Sequence, residues 1–123
     1  VIAVDTSTAV DWLKGVDDRR TALMAEAFTE LTLVLPPVVV TELLTYPAGA
    51  QLLSLVEDTR LAPISEGYWT RAGESRRLLK AKGLKAKLAD TLIAQCCIDA
   101  GIPLIATDTD FRHFAAHCGL QLA

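Results

Sequence analysis

LIATDTDF, residues 104–111, runs a short apolar segment into two aspartates two positions apart. Leu104-Ile105-Ala106 reads as a buried strand, with Pro103 at its entry, where a strand tolerates a residue without an amide proton. Polar residues after a buried strand often form nothing more than a turn. Carboxylates there can also mark chemistry, because open α/β sheets bind ligands at the C-terminal ends of their strands. The eight residues alone leave both readings open. The choice depends on whether other acids reach the same edge.

Working outward, the chain alternates apolar runs with helical patterns. Val1–Val4 reads as the first strand, Leu33–Leu35 as the second, Arg60–Ile64 as the third and Pro103–Ala106 as the fourth, with Leu120–Leu122 a candidate fifth. Asp5-Thr6-Ser7 supplies turn and cap chemistry before a helix at Ala9–Lys14. Further helices are predicted over Arg19–Thr32, where Leu23, Ala27, Phe28 and Leu31 fall at helical spacing, and over Val38–Tyr46, opened by Pro37. Others follow at Ala48–Glu57, Glu66–Ala81 with Ser65 as its cap, Lys87–Ala100 ended by Gly101, and Asp110–His117. This alternation predicts an α/β fold with a central parallel sheet of four to five strands flanked by helices, joined by right-handed crossovers. The unbroken apolar strands suit a sheet covered on both faces.

The length of 123 residues suits one domain over 1–123, and a hydrophobic share of 51% excludes a disordered chain. No apolar run approaches a membrane span, and Val1–Val4 is too short for a signal peptide. The three cysteines, Cys96, Cys97 and Cys118, are odd in number and lack metal-binding spacing. They read as free thiols in a reducing cytoplasm. Net charge is −3, yet residues 71–87 carry Arg71, Arg76, Arg77, Lys80, Lys82, Lys85 and Lys87 against the single acid Glu74. Such a segment is either a phosphate-contacting patch or a solvated helix face.

Four acids stand in unusual places. Asp5 follows the first strand and Asp108 the fourth, so a parallel sheet brings both to one edge. Glu42 lies among apolar neighbours in VVVTELL, with no base near it in sequence, and a buried carboxylate is costly unless paired or bound to a cation. Asp90 opens LADTLIAQCCI, a helix apolar around most of its circumference, where the helix dipole also favours an acid. If the four converge, their repulsion raises their pKa values or calls for a cation. Hard oxygen ligands suit Mg2+ or Mn2+, and such a site can activate a water for phosphodiester hydrolysis.

At these positions the chain resembles the PIN-domain ribonucleases, in particular the VapC-type toxins of toxin–antitoxin pairs. VIAVDTS resembles the opening strand with Asp5 as first acid and Ser7 as the accompanying hydroxyl. LPPVVVTELL resembles the second motif, with Glu42. LADTLIAQCCIDAGIPLIATDTDF resembles the third and fourth, with Asp90 and Asp108. The pattern usually places a threonine two before the last acid. Ala106 stands there instead, and Thr107 either substitutes or points elsewhere. Asp108 is taken as the fourth acid, with Asp110 as the alternative or as a cap of the last helix.

The resemblance implies a PIN-like three-layer fold and an Mg2+- or Mn2+-dependent endoribonuclease, the toxin of a type II pair. Asp5 and Asp90 would hold the metal most directly, with Glu42 and Asp108 completing the cluster. A metal-activated water would cut structured RNA such as tRNA or rRNA, positioned by Arg76, Arg77, Lys80, Lys82, Lys85 and Lys87. It also implies a cognate antitoxin that reaches into the acidic site and a homodimer; with no apolar run of membrane-span length, no membrane partner is expected. The alternative is a catalytically weak PIN module that mainly binds RNA or a protein.

Other chemistries fit less well. A haloacid-dehalogenase phosphatase needs a second acid two after Asp5, where Ser7 stands. A response-regulator receiver needs an aspartate after the third strand, and LAPIS has none. His113 and His117 share the i, i+4 spacing of a metal pair but lack further nitrogen or sulfur ligands beyond Cys118. Ser7 lacks a nucleophile-elbow context. Trp12, Tyr68 and Trp69 are expected to pack at helix ends or an interface rather than to stack on bases. Asp11, Glu74 and Asp99 are expected to face solvent.

Overall fold

The computed structural model describes residues 1–123. Four strands form a wholly parallel sheet: β1 (Ile2–Val4), β2 (Leu33–Leu35), β3 (Arg60–Leu61) and β4 (Leu104–Ile105), in the order β3-β2-β1-β4. Seven helices flank it: α1 (Thr6–Leu13), α2 (Arg19–Thr29), α3 (Pro37–Leu43), α4 (Ala50–Asp58), α5 (Tyr68–Ala81), α6 (Leu88–Ala100) and α7 (Phe111–Cys118). The α/β class and the helix-flanked parallel sheet expected from the sequence are therefore present. The candidate fifth strand reduces to one parallel bridge, Leu122 to Leu104.

The register decides what lies at the functional edge. Ala3 pairs with Val34 on one side and Leu104 on the other, and the amide of Asp5 donates to the carbonyl of Ile105 at 3.0 Å. The chain leaving β1 and the chain leaving β4 therefore emerge side by side. Burial explains why the two central strands are so apolar: Ala3, Val4, Leu33, Val34 and Leu35 all belong to the hydrophobic core. β3 departs from that pattern, since Arg60 and Leu61 are exposed on the sheet's edge. It is also shorter than expected, because Pro63 cannot donate to a ladder, although Ala62 still donates to Leu35 at 2.8 Å.

Several helix boundaries differ from the sequence expectation for local reasons. α1 begins at Thr6, because Asp5 is itself the N-cap and accepts the amide of Thr8 at 2.9 Å. α2 ends at Thr29, and Leu31 turns the chain with φ of 60°, a conformation uncommon outside glycine. Ser65 does not cap α5. Gly67 holds the N-cap position at φ 82°, and a Cβ there would lie 2.5 Å from the Arg71 guanidinium. Arg71 instead binds Ser65 Oγ and the Glu66 carbonyl across that turn.

Asp99 does not face solvent. Its side chain is 9% exposed, pairs with Arg71 at 2.8 Å and accepts from Gln95 Nε2 at 2.8 Å. The Arg71 guanidinium holds its carboxyl below the usual range. Asp11 is likewise half-buried and paired with Arg20, while Glu74 is exposed as expected. Trp12 packs on Phe28, and the Tyr68 hydroxyl donates to the Leu92 carbonyl at 2.6 Å, joining α5 to α6. Cys96 and Cys97 are buried free thiols and Cys118 is half-buried.

α7 is anchored by Phe111 and Phe114, both fully buried in the core. Phe114→Ala leaves a cavity that the short helix cannot fill, so it should cost about 3–5 kcal/mol. Urea unfolding of the variant and the parent measures this. A loss under about 1 kcal/mol would show that α7 is not locked to the core.

Candidate active site

Asp5, Glu42, Asp90 and Asp108 line one cleft of about 330 Å3 at the C-terminal edge of the sheet, together with Thr6, Ser7, Asp11 and Lys87. Each acid arrives on a different element: the β1–α1 junction, α3, the first turn of α6 and the β4–α7 loop.

Asp5 is 2% exposed. Its Oδ1 accepts the Thr8 amide at 2.9 Å and its Oδ2 accepts the Thr107 amide at 3.0 Å. Burial pushes its pKa up, and the hydrogen bonds from Thr8 and Thr107 oppose that rise without cancelling it. Asp90 is pushed up to about 6, first by burial, then by repulsion from Asp108, with smaller contributions from Asp5 and Asp110 and partial relief from Lys87. Its Oδ2 is buried and has no hydrogen-bond partner.

Glu42 is half-buried rather than enclosed, and Thr6 Oγ1 donates to its Oε1 at 2.6 Å. No base neutralises it in the core, because it faces the cleft. Thr6 was not singled out by sequence reasoning, and nothing local distinguishes it from Thr8. Ser7 is exposed on the cleft wall.

Asp108 and Asp110 both approach Asp90. One carboxylate oxygen from each of the three lies within 4.8 Å of the others. Asp110 sits at the N-cap position of α7, yet its side chain makes no capping bond, and its amide donates to Asp108 Oδ1 at 2.8 Å. Lys87 lies 4.0 Å from Asp108 and Lys85 4.0 Å from Asp110, with His113 3.8 Å from Asp110. Thr107 is not part of the cleft lining: its hydroxyl contacts the Thr8 hydroxyl and the Arg20 guanidinium, and only its backbone amide reaches a site acid, Asp5.

The basic segment divides. Lys85 and Lys87 reach the acids. Arg76 donates from Nε to the Ala86 carbonyl at 2.8 Å, bracing the loop that carries them. Arg76, Arg77 and Lys80 also line an open hollow on α5 beside Leu88, apart from the acidic cleft. Lys82 is exposed. Arg71 is committed to Asp99.

The donor set fits a hard divalent cation. It is all oxygen, it gathers several carboxylates at one edge, and it leaves a buried oxygen of Asp90 unpartnered. The histidines add no competing site, since His113 faces Asp110 while His117 lies with Cys118 beside α5.

The family model described as PIN domain matches residues 2–117. Among curated protein sequences, none matches the chain. The fold is similar to that of VapBC2 from Rickettsia felis bound to a promoter DNA fragment, with a TM-score of 0.73 and 19% identity, covering 99% of this chain and 96% of that one. It is also similar to FitAB bound to an IR36 DNA fragment, with a TM-score of 0.71 and 18% identity over 100% and 94% of the two chains. VapBC-5 from Mycobacterium tuberculosis, a member of the VapBC family of toxin–antitoxin systems, gives a TM-score of 0.66 and 17% identity over 98% and 95%.

Asp90 binds its proton more tightly in the fold than in the unfolded chain. Its contribution to stability is thus present below pH 3.8 and lost as pH rises through about 6. In the metal-free protein, Asp90→Asn should raise Tm by about 3–5 °C at pH 7.5 and leave it unchanged below pH 4. Mn2+ at pH 7.5 should stabilise the parent but not the variant. Thermal melts across pH measure both, and equal Tm values at pH 7.5 would contradict the assigned burden on Asp90.

Proposed function

We propose a function from a plain premise: this chain belongs to the PIN-domain family. It is a divalent-metal-dependent endoribonuclease, the toxin of a type II toxin–antitoxin pair, hydrolysing phosphodiesters of structured RNA such as tRNA or rRNA. The observation that carries this is the convergence of Asp5, Glu42, Asp90 and Asp108 on one cleft, with an unpartnered Asp90 oxygen inside it.

Asp5 and Asp90 would hold Mg2+ or Mn2+ most directly, with Glu42 and Asp108 completing the set and Asp110 as the alternative to Asp108. A bound divalent cation supplies Lewis-acid stabilisation of the phosphoryl group and lowers the pKa of water. The protein's own groups do the rest. Thr6 orients Glu42, and the amides of Thr8 and Thr107 fix both oxygens of Asp5. Lys87, on the cleft wall, binds the RNA phosphate next to the scissile bond, and Lys85 lies beside it. Arg76, Arg77, Lys80 and Lys82 would contact phosphates further along the strand.

An apolar groove continues from the cleft, since Val10 and Tyr46 line both, and extends over Leu13, Pro47 and Leu52. It suits an antitoxin segment that lays apolar side chains along the groove and a basic one into the acids. The VapBC neighbours support such a partner. Exposed Trp69 and Leu88 offer apolar area for a second copy of the chain. Three unpaired thiols suit a reducing cytoplasm.

The test is cleavage of a pooled tRNA and rRNA substrate with Mg2+, with Mn2+ and with EDTA. Discrete fragments should appear with either metal and vanish in EDTA. Asp5→Ala and Asp90→Asn should each lower the rate by more than the roughly 10–100-fold that an outer-shell partner is worth. Fragments that persist in both variants would defeat the reading, and absence of cleavage by metal-loaded protein would favour a binding-only module. Lys87→Gln should weaken RNA binding and flatten its salt dependence by about one unit of slope, read from affinities at several salt concentrations.

A further inference from the structure

Arg20 lies in the first turn of α2, outside the cleft wall, yet it grips the loop that builds the cleft. Its Nη2 donates to Asp18 Oδ2 at 2.6 Å and to Asp11 Oδ2 at 3.3 Å. Its Nη1 donates to the hydroxyl of Thr107. Asp18 is fixed in turn as the cap of α2, accepting the amides of Arg20 and Thr21 at 2.9 and 3.0 Å. The guanidinium is therefore anchored on one side and holds the β4–α7 loop on the other. From that loop the Thr107 amide reaches Asp5 Oδ2 at 3.0 Å, and the Thr107 hydroxyl meets that of Thr8 at 2.9 Å.

We propose that Arg20 is a positioning residue, which by gripping Thr107 holds the β4–α7 loop so that Asp5 presents its carboxylate to a divalent cation. The role rests on the metal-nuclease reading of the cleft. Two effects of Arg20 have opposite signs. As a positive charge near Asp5 it repels a cation, so by electrostatics alone its removal tightens cation binding. As a clamp, its removal loosens Thr107 and weakens binding. Outer-shell partners of metal ligands, here Thr107 on Asp5, are worth about 10–100-fold in affinity, and Arg20, acting through Thr107, draws on the lower end of that range, which exceeds the effect of one solvent-screened charge.

The experiment pairs Mn2+ titration calorimetry with amide hydrogen exchange of the metal-free protein. The variants are Arg20→Gln, Thr107→Val and the double substitution, with Arg19→Gln as a control that removes an exposed charge from the same helix. Arg20→Gln should weaken Mn2+ binding by about tenfold and speed exchange at the Thr107 amide while leaving the strand amides of β1 and β2 protected. The double variant should bind no more weakly than Thr107→Val, because Arg20 acts through Thr107. Arg19→Gln should bind as the parent or slightly more tightly. Unchanged or tighter Mn2+ binding by Arg20→Gln overturns the proposal. A parent that binds no Mn2+ defeats the metal-nuclease reading and, with it, the cation half of this role; Thr107 exchange then decides the clamp, and unchanged protection overturns that too.

Discussion

The carboxylate of Asp5 is held by amides from opposite ends of the chain, and the rest of the site depends on that arrangement. Thr8 supplies one from the start of α1, and Thr107 supplies the other from the loop after β4. They meet because β1 and β4 are parallel neighbours in register, with Val4 opposite Ile105. A shift of one residue would turn the strand side chains to the opposite faces and carry residue 107 away from residue 5. Sheet register, more than any single side chain, fixes where the acids meet.

Once gathered, the acids repel one another, and the structure relieves this unevenly. Asp5 receives two amides, Glu42 a hydroxyl, and Asp108 and Asp110 have lysines at 4.0 Å. Asp90 has a buried oxygen with no partner, and burial together with the charge of Asp108 carries its pKa to about 6. The stress therefore falls on the acid at the helix N-terminus. A cation relieves it more fully than protonation, since it offsets several carboxylates at once.

The basic residues are arranged with comparable selectivity. A segment that reads as uniformly cationic serves three ends: Arg71 completes a half-buried network with Asp99 and Gln95, Arg76 braces the α5–α6 loop, and Lys85 and Lys87 face the acids. Net charge counts these alike. Their partners separate a structural cation from one that is free to meet a phosphate.

Much of the fold and most of the cleft were legible in the sequence. A short apolar run between helical segments encodes a buried parallel strand, and the residue that follows it must emerge at the C-terminal edge, which places Asp5 and Asp108. Proline before VVVTELL and glycine after the α6 segment bounded helices correctly to within a residue or two. These signals are local: periodicity, caps and breakers act over a few residues. Tertiary structure decided what local chemistry leaves open: that Asp110 approaches Asp90 as Asp108 does, that Thr6 serves Glu42, that Asp99 pairs with Arg71, and that Arg20 reaches Thr107. Each is a meeting of side chains far apart in the chain, settled by register and helix docking, which the residues beside them do not encode.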